Sequence, residues 1–406
     1  MSGGIVQLVA IGAQDAYLTG KPEVSFYRSS YKRYTHFANS VERQLIQGVP
    51  TAGGISTVRL EKKGDLLSYM YITARDTSGA LVPQLNWTSN IIDKVELLIG
   101  GQVIDTQDGY WMNQIEPVTG AMNGSQRFLQ AATATQPGNN FHSFQPLKFF
   151  FCKDWQSALP LVALQYHDVE IRITWSPTLN TQAYVGPGTS TPVQPTPVNY
   201  SGLQYIVWTN FIYLDQGERD YFAKTAQDML ITQVQRQIVP SAAVVELAFA
   251  HPVKFLAFQS NNYAQAYTLP TASGTTAPVL ASQLQFKTQV NGVDIGESRS
   301  LFQWVDPNQY YHTPFGFSPY GQTANVAIIP FCLDTSKLQP TGTLNFSRID
   351  TYRIVTPTTI TLQSIVQGAS GIATTSVNAS LNPFIYAVNY NILRIQNGMG
   401  ALLYSS

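Results

Sequence analysis

Phe151-Cys152-Lys153-Asp154, followed by Pro160 and by Leu164-Gln165-Tyr166, is matched 180 positions later by Phe331-Cys332-Leu333-Asp334, followed by Pro340 and by Leu344-Asn345-Phe346. At the same offset Val169 meets Ile349 and Glu170 meets Asp350. Five identities fall in the 20 columns from 151 to 170, where average residue usage gives about one by chance. The two cysteines of the chain are in register within this match. Both copies run from an apolar segment through a polar turn to a strand-like segment. The chain therefore reads as one domain duplicated, each copy taking roughly half of it.

A second trace of the duplication is a hairpin. Val95 to Ile99 leads through Gly100-Gly101 to Val103 and Ile104, while Leu284, Phe286 and Val290 lead through Asn291-Gly292 to Val293 and Ile295. Asn-Gly supplies the two positive φ angles that a type I′ turn requires. Other segments also have strand character. Thr57 to Lys62, Met229 to Gln237 and the denser runs Leu67 to Thr73, Leu147 to Phe151, Val162 to Trp175 and Tyr205 to Leu214 are of this kind. Short strands separated by turn signals and long polar loops point to an all-β chain of two consecutive eight-stranded antiparallel jelly rolls. A few short helices are expected in loops and at the connection between the rolls.

The expected organisation is an N-terminal arm over 1–25, a first jelly roll over 26–214, an interdomain linker helix over 215–228 and a second jelly roll over 229–406. At Asp215, Glu218 follows three residues later in the pattern of a capping box. Asp108 to Ile115 reads as a short helix and 116–146 as a surface excursion. The segments 177–197 and 259–278 read as long projecting loops. Between Phe26 and Phe37, aromatic residues interleave with Arg28, Lys32 and Arg33. Such a pattern fits base stacking, but the favoured reading is a strand whose aromatics enter the core.

Length and charge bound the function. A chain of 406 residues exceeds one ordinary core and suits two domains of about 200 residues. Charged residues make up only 12%, about half the usual share, and Lys+Arg 24 balance Asp+Glu 24. A surface built from Gln, Asn, Ser and Thr repels copies of itself weakly, which suits packing against neighbours. It argues against binding nucleic acid through an overall basic face. The cysteines are expected in different cores, unpaired and reduced, as in a reducing compartment. The start, Met1-Ser2-Gly3-Gly4-Ile5, does not read as a signal peptide. The most apolar window, Ala242 to Phe258, is broken by Glu246, His251, Pro252 and Lys254, so no membrane span is expected.

Chemistry is sparse. His36, His142, His167, His251 and His312 form no metal pair at helical spacing, and neither a nucleophile elbow nor a phosphate loop occurs. His167-Asp168 with Glu170 is the densest group, but strand alternation splits it, and the second copy has Ser347 and Arg348 instead. Asp154 and Asp334 each follow their Cys by two and read as turn formers. The flanking Phe151, Trp155 and Phe331 favour inert thiols. No catalytic, cofactor or metal site is assigned, and no enzymatic role or cofactor is expected. Asn86, Asn123, Asn199 and Asn378 are possible glycosylation acceptors, whereas Asn345 lies in an expected strand.

Longer motifs give a resemblance. Gly12-Ala13-Gln14-Asp15 with Tyr17-Leu18-Thr19-Gly20 and Pro22, Tyr31-Lys32-Arg33-Tyr34-Thr35 with Phe37, and Leu159-Pro160-Leu161-Val162-Ala163-Leu164-Gln165-Tyr166-His167 form the first set. Gln339-Pro340-Thr341-Gly342 with Asn345-Phe346-Ser347-Arg348-Ile349-Asp350, and Tyr386 to Ile395 followed by Gly398-Met399-Gly400, form the second. Over nearly its whole length the chain resembles the major capsid proteins of nucleocytoplasmic large DNA viruses, of the chlorovirus and iridovirus type. The resemblance implies a homotrimeric, pseudo-hexagonal capsomer that tiles an icosahedral shell over an internal viral membrane. It also implies minor capsid proteins as partners, no direct nucleic-acid binding, and assembly in the host cytoplasm. The arm and the tail 396–406 are then expected on the inner side of the shell, with the loops in 116–146, 177–197 and 259–278 outermost. The chain departs from the pattern in its short length and in Lys21, where many members carry Asn. The competing readings are a minor or paralogous capsid protein, a glycoside hydrolase with paired carboxylates, and a carbohydrate-binding tandem jelly roll. The last would use Tyr310, Tyr311 and Phe315 as sugar platforms.

Overall fold

The computed structural model describes residues 12–80, 85–87, 91–120, 141–142, 144–177, 179, 202–239, 244–259, 285–314, 326–355 and 384–404. Among the described residues, eight principal strands form the first half. They are β1 (Phe37–Gln44), β2 (Ile55–Arg59), β3 (Leu66–Arg75), β4 (Ile92–Ile99), β5 (Gln102–Asp108), β6 (Phe144–Pro146), β7 (Val169–Trp175) and β8 (Gln204–Leu214). Eight more form the second: β9 (Gln227–Ile238), β10 (Val244–Leu247), β11 (Pro252–Gln259), β12 (Gln285–Val290), β13 (Val293–Ser300), β14 (Val326–Pro330), β15 (Tyr352–Val355) and β16 (Phe384–Gln396). All the pairings are antiparallel.

The sheet orders are β1-β8-β3-β6 and β2-β7-β4-β5 in the first half, and β9-β16-β11-β14 and β10-β15-β12-β13 in the second. Adding eight to each label of the first half gives the second. Each half is thus a jelly roll of two sheets with the same four-strand order, short strands adding to one sheet of each half, and the duplication seen in the sequence is a duplication of topology. Local details repeat too. The hairpin turns have positive φ at both residues, 57° and 82° at Gly100 and Gly101, 50° and 81° at Asn291 and Gly292. A helical segment follows the fifth strand of each roll, Trp111–Ile115 running into Glu116–Thr119 in the first and α2 (Leu301–His312) in the second. Each carries an acid before proline, Glu116-Pro117 and Asp306-Pro307. Asp154 and Asp334 both accept a hydrogen bond from the backbone N–H two residues on, at 3.2 and 2.8 Å, so each closes a turn as its spacing indicates.

The linker is helical over Gln216–Lys224 (α1), but the capping box is not made. Asp215 at the N-cap forms no side-chain cap. The helix is held from elsewhere, because Asp65 accepts from Leu214 N at 2.9 Å and from Arg219 Nε at 2.7 Å. Glu116 to Thr119 are buried rather than part of a surface excursion. Strand β7 is shorter than the apolar run that predicts it, since Leu161–Ala163 forms a 3-10 turn that presents Leu161 and Ala163 inward. Much of the projecting loops, including 121–140, 181–200 and 261–278, lies outside the described residues, as do Asn123, Asn199, Asn378 and Phe315.

Residues 1–36 and 37–406 are separate compact units. In the first, Ala13–Asp15 and Ala16–Thr19 are helical turns. No strand forms over 26–36, and Phe26, Tyr27, Tyr31 and Tyr34 are exposed, contrary to the expected core strand. The spacing of three between Tyr31 and Tyr34 accounts for this, because it would put them on opposite faces of an extended strand.

Burial in the second unit is asymmetric. The second roll has its own core, in which Val245, Leu247, Val253, Phe286, Tyr352, Ile354, Ile385 and Ala387 meet. The other face of the β9-β16-β11-β14 sheet, through Ile231, Phe255, Ala257, Ile328, Tyr386 and Val388, is continuous with the core of the first roll. That sheet is therefore apolar on both faces, which is why Phe255 to Phe258 and Val326 to Ile329 read as unbroken apolar runs. Cys332 belongs to this shared cluster and Cys152 packs against it. The two cysteines do not belong to separate cores, although both are unpaired. Among the described residues no helix is long and apolar enough to cross a membrane.

The chain ends on the same seam. β17 (Met399–Leu402) turns back on β16 through Asn397-Gly398, and Tyr166 N donates to Gly398 O at 3.0 Å. The tail is thus built into the first roll's surface as far as Leu402. A Cβ on Gly398 (φ 78°) would lie 2.5 Å from the Tyr166 ring. Gly398→Ala is expected to destabilise the chain by about 1–3 kcal/mol, read as a lower urea midpoint. An unchanged midpoint would show that the hairpin does not press on Tyr166.

Candidate functional site

The polar groups with the most unusual surroundings lie along the seam between the rolls. Edge strand β5 of the first roll meets edge strand β9 of the second through side chains. Asp105 Oδ1 accepts from Val234 N at 2.9 Å, and Gln233 Nε2 donates to Ile104 O. Asp108 gathers three donors: Trp111 N at 2.6 Å, Tyr386 Oη at 2.6 Å and Arg236 Nη1 at 3.0 Å. Both aspartates are buried, and a buried charge left unpaired would be strongly destabilising. Burial, and then the neighbouring Asp108 carboxylate, push the Tyr386 hydroxyl far above the usual phenol range, so it serves Asp108 as a donor. The Tyr386 ring packs on Tyr110 and Trp111 at 6.3 and 5.4 Å between centroids.

Further along, Thr335 Oγ1 donates to Thr119 O at 2.8 Å, and Lys148 pairs with buried Glu116 at 2.8 Å. Lys254 is buried, with Nζ donating to Thr335 O at 3.1 Å and Lys337 O at 3.2 Å. Burial pulls its ammonium down to about 8. At the other end, His167 is wedged between glycines. A Cβ on Gly100 would lie 2.4 Å from the ring, and His167 Nδ1 is 3.0 Å from Gly400 O. The histidine is a spacer in the seam. Its neighbour Asp168 turns away to Arg59 and Lys62.

The other candidates are also structural. His312 Nδ1 lies 3.0 Å from Cys332 O, and His251 has φ 67° with its N–H donated to Ser347 Oγ at 2.8 Å. Burial pushes the Cys152 thiol up to about 12, so it stays protonated and inert. Among the described residues no group of three His, Cys, Asp or Glu could hold a metal ion. Asn86 lies in a two-residue strand paired with Phe141–His142. Sequence reasoning missed Asp105, Asp108 and Lys254. The available signals were two aspartates in an otherwise half-buried strand and a lysine inside the most apolar window.

Two jelly rolls fused in tandem across a buried, hydrogen-bonded seam define a double jelly-roll protein. Known proteins give the family. The model of the major capsid protein N-terminus matches residues 25–215, and that of the large eukaryotic DNA virus major capsid protein matches residues 218–401. A major capsid protein of Paramecium bursaria Chlorella virus 1 is 32% identical over 455 aligned positions, and one of Pyramimonas orientalis virus 31% over 437, each comparison covering 100% of both chains. Among solved structures, a quasi-atomic model of the PBCV-1 virus capsid superposes with a TM-score of 0.67 at 28% identity, covering 94% of this chain and 100% of the other. The Faustovirus major capsid protein shares the fold, with a TM-score of 0.55 at 14% identity over 97% of each chain. The chain belongs to the major capsid protein family of large eukaryotic DNA viruses.

Asp105 gives the seam a pH dependence. Burial raises its carboxyl to about 6 from 3.8, against the hydrogen bonds from Val234 N and Gln107. A raised folded-state pKa means the folded chain favours the proton. The contribution is full below about pH 3.8 and is lost as pH rises to about 6, up to roughly 3 kcal/mol in total. Asp105→Asn is expected to remove that part of the slope of denaturation midpoint against pH between 4 and 6. A variant that keeps the wild-type slope would refute the assignment.

Proposed function

We propose that this chain is a major capsid protein, a structural subunit that forms a homotrimeric, pseudo-hexagonal capsomer and tiles an icosahedral shell. The observation that carries this reading is a contrast between equivalent sheet edges. Edge strand β5 of the first roll is largely buried and faces β9 of the same chain. Edge strand β13 holds the same place in the second roll, yet seven of its eight residues are exposed, including Val293 and Ile295. Edge strand β1, the counterpart of β9, is also open along most of its length. Each chain thus presents an unused copy of each surface that it has already joined internally.

Joining β13 of one chain to β1 of the next repeats the internal contact as a head-to-tail interface, which closes into a ring when the rotation allows. Three chains of two like rolls give six rolls around the ring, and so a near-hexagonal outline from a trimer. Exposed Tyr310 and Tyr311 end α2, whose counterpart in the first roll is buried at the seam. The same interface accounts for them without a sugar ligand.

The family likeness extends the reading to a place in the virion capsid, with minor capsid proteins and an internal membrane as neighbours and assembly in the host cytoplasm. Val293→Asp with Ile295→Asp is expected to turn the trimer into monomers in size-exclusion chromatography with light scattering, with an unchanged far-ultraviolet β signature. Trimers that survive both substitutions would overturn the β13 interface.

A further inference from the structure

The seam holds a partly open cavity of about 100 Å³ between the two rolls. By that measure it has room for several waters or one compact ion. Its lining includes Trp111 and Lys153 from the first roll, and Lys254, Ser336 and Lys337 from the second. Trp111 is buried, and its Nε1–H has no hydrogen-bond partner. An unmet buried donor is uncommon in a folded protein. Lys254 Nζ spends two of its three hydrogens on the carbonyls of Thr335 and Lys337, which leaves one. Among the described residues no carboxylate comes within 4.0 Å of Lys153, Lys254 or Lys337.

The acids on the lining are partly committed. Glu116 is paired with Lys148, and Asp154 Oδ1 accepts from Gln156 N. The cavity therefore offers surplus donors and surplus positive charge in a chain where only 12% of residues are charged. A cation would meet three ammonium groups. A neutral water would leave the charge uncompensated. We propose that this cavity binds one small oxyanion, of the size and charge of inorganic phosphate, held between Lys254 Nζ and the more exposed Lys153 and Lys337. The anion joins donors from both rolls, so it acts as a clip across the seam. The volume matches a free oxyanion more closely than a nucleotide.

The test is thermal unfolding of the full chain titrated with potassium phosphate, with potassium sulfate, and with adenosine monophosphate, at ionic strength fixed with KCl. The expected result is a saturable rise in midpoint with phosphate and sulfate and none with the nucleotide. Lys153→Ala with Lys337→Ala should weaken the apparent affinity by about tenfold or more, as expected for lost charge-assisted contacts. These residues are exposed, so the double variant is expected to fold. Lys254→Met, if it folds, should abolish the effect. Phosphorus NMR line broadening with wild type, absent with the double variant, would support the same site. A midpoint that follows ionic strength alone, or an equal phosphate shift in the double variant, would overturn the proposal. A nucleotide that stabilises as well as phosphate would also overturn it, since the site would then be an open surface.

Discussion

A sheet that is apolar on both faces is the constraint from which the architecture follows. The β9-β16-β11-β14 sheet buries Ile385 and Ala387 in its own sandwich and Tyr386 and Val388 against the first roll. Neither face can be given to water without exposing a large part of the apolar surface that stabilises the chain. The second roll therefore cannot be separated from the first at low cost, and their relative orientation is fixed by packing rather than by the linker. Helix α1 follows from that arrangement, tied back to Asp65 through Arg219.

Polar groups then determine which geometry the packing adopts. Non-directional burial would tolerate sliding of one roll over the other. Asp108, with donors from Trp111, Arg236 and Tyr386, and Asp105, with Val234 N, do not tolerate it, because a displacement would leave buried carboxylates unpaired. Gly100, Gly398 and Gly400 act by shape at the other end, letting His167, Tyr166 and Leu164 respectively approach the backbone more closely than a side chain there would allow.

The sequence made the duplication legible because the two copies share turn chemistry. The Cys-x-Asp turns and the paired hairpins depend on local backbone demands that survive divergence. The jelly-roll strands were legible where one face is wet, as in the alternating Val169 to Trp175. The doubly buried strands were read only as apolar, since a run such as Ala327-Ile328-Ile329 has no period that says what covers each face. The aromatics of 26–36 were placed inside by composition, although their spacing does not suit a strand. The seam acids were missed because their partners, Val234, Arg236 and Tyr386, lie more than 120 residues away.

The edge residues of the two rolls have diverged in a directed way. Four residues past the hairpin turn, the first roll has Asp105 and the second Gly296. Seven residues past it, the pair is Asp108 and Arg299. A ring of six identical single rolls would have one joint, used six times, and any change in its strength would apply everywhere. Doubling the gene separates the joints into two kinds. The one within the chain is made once, during folding, at an effective concentration no dilution can alter. The one proposed for β13 would obey mass action, so its affinity could be set low enough for errors in a growing lattice to dissolve without the subunit itself coming apart.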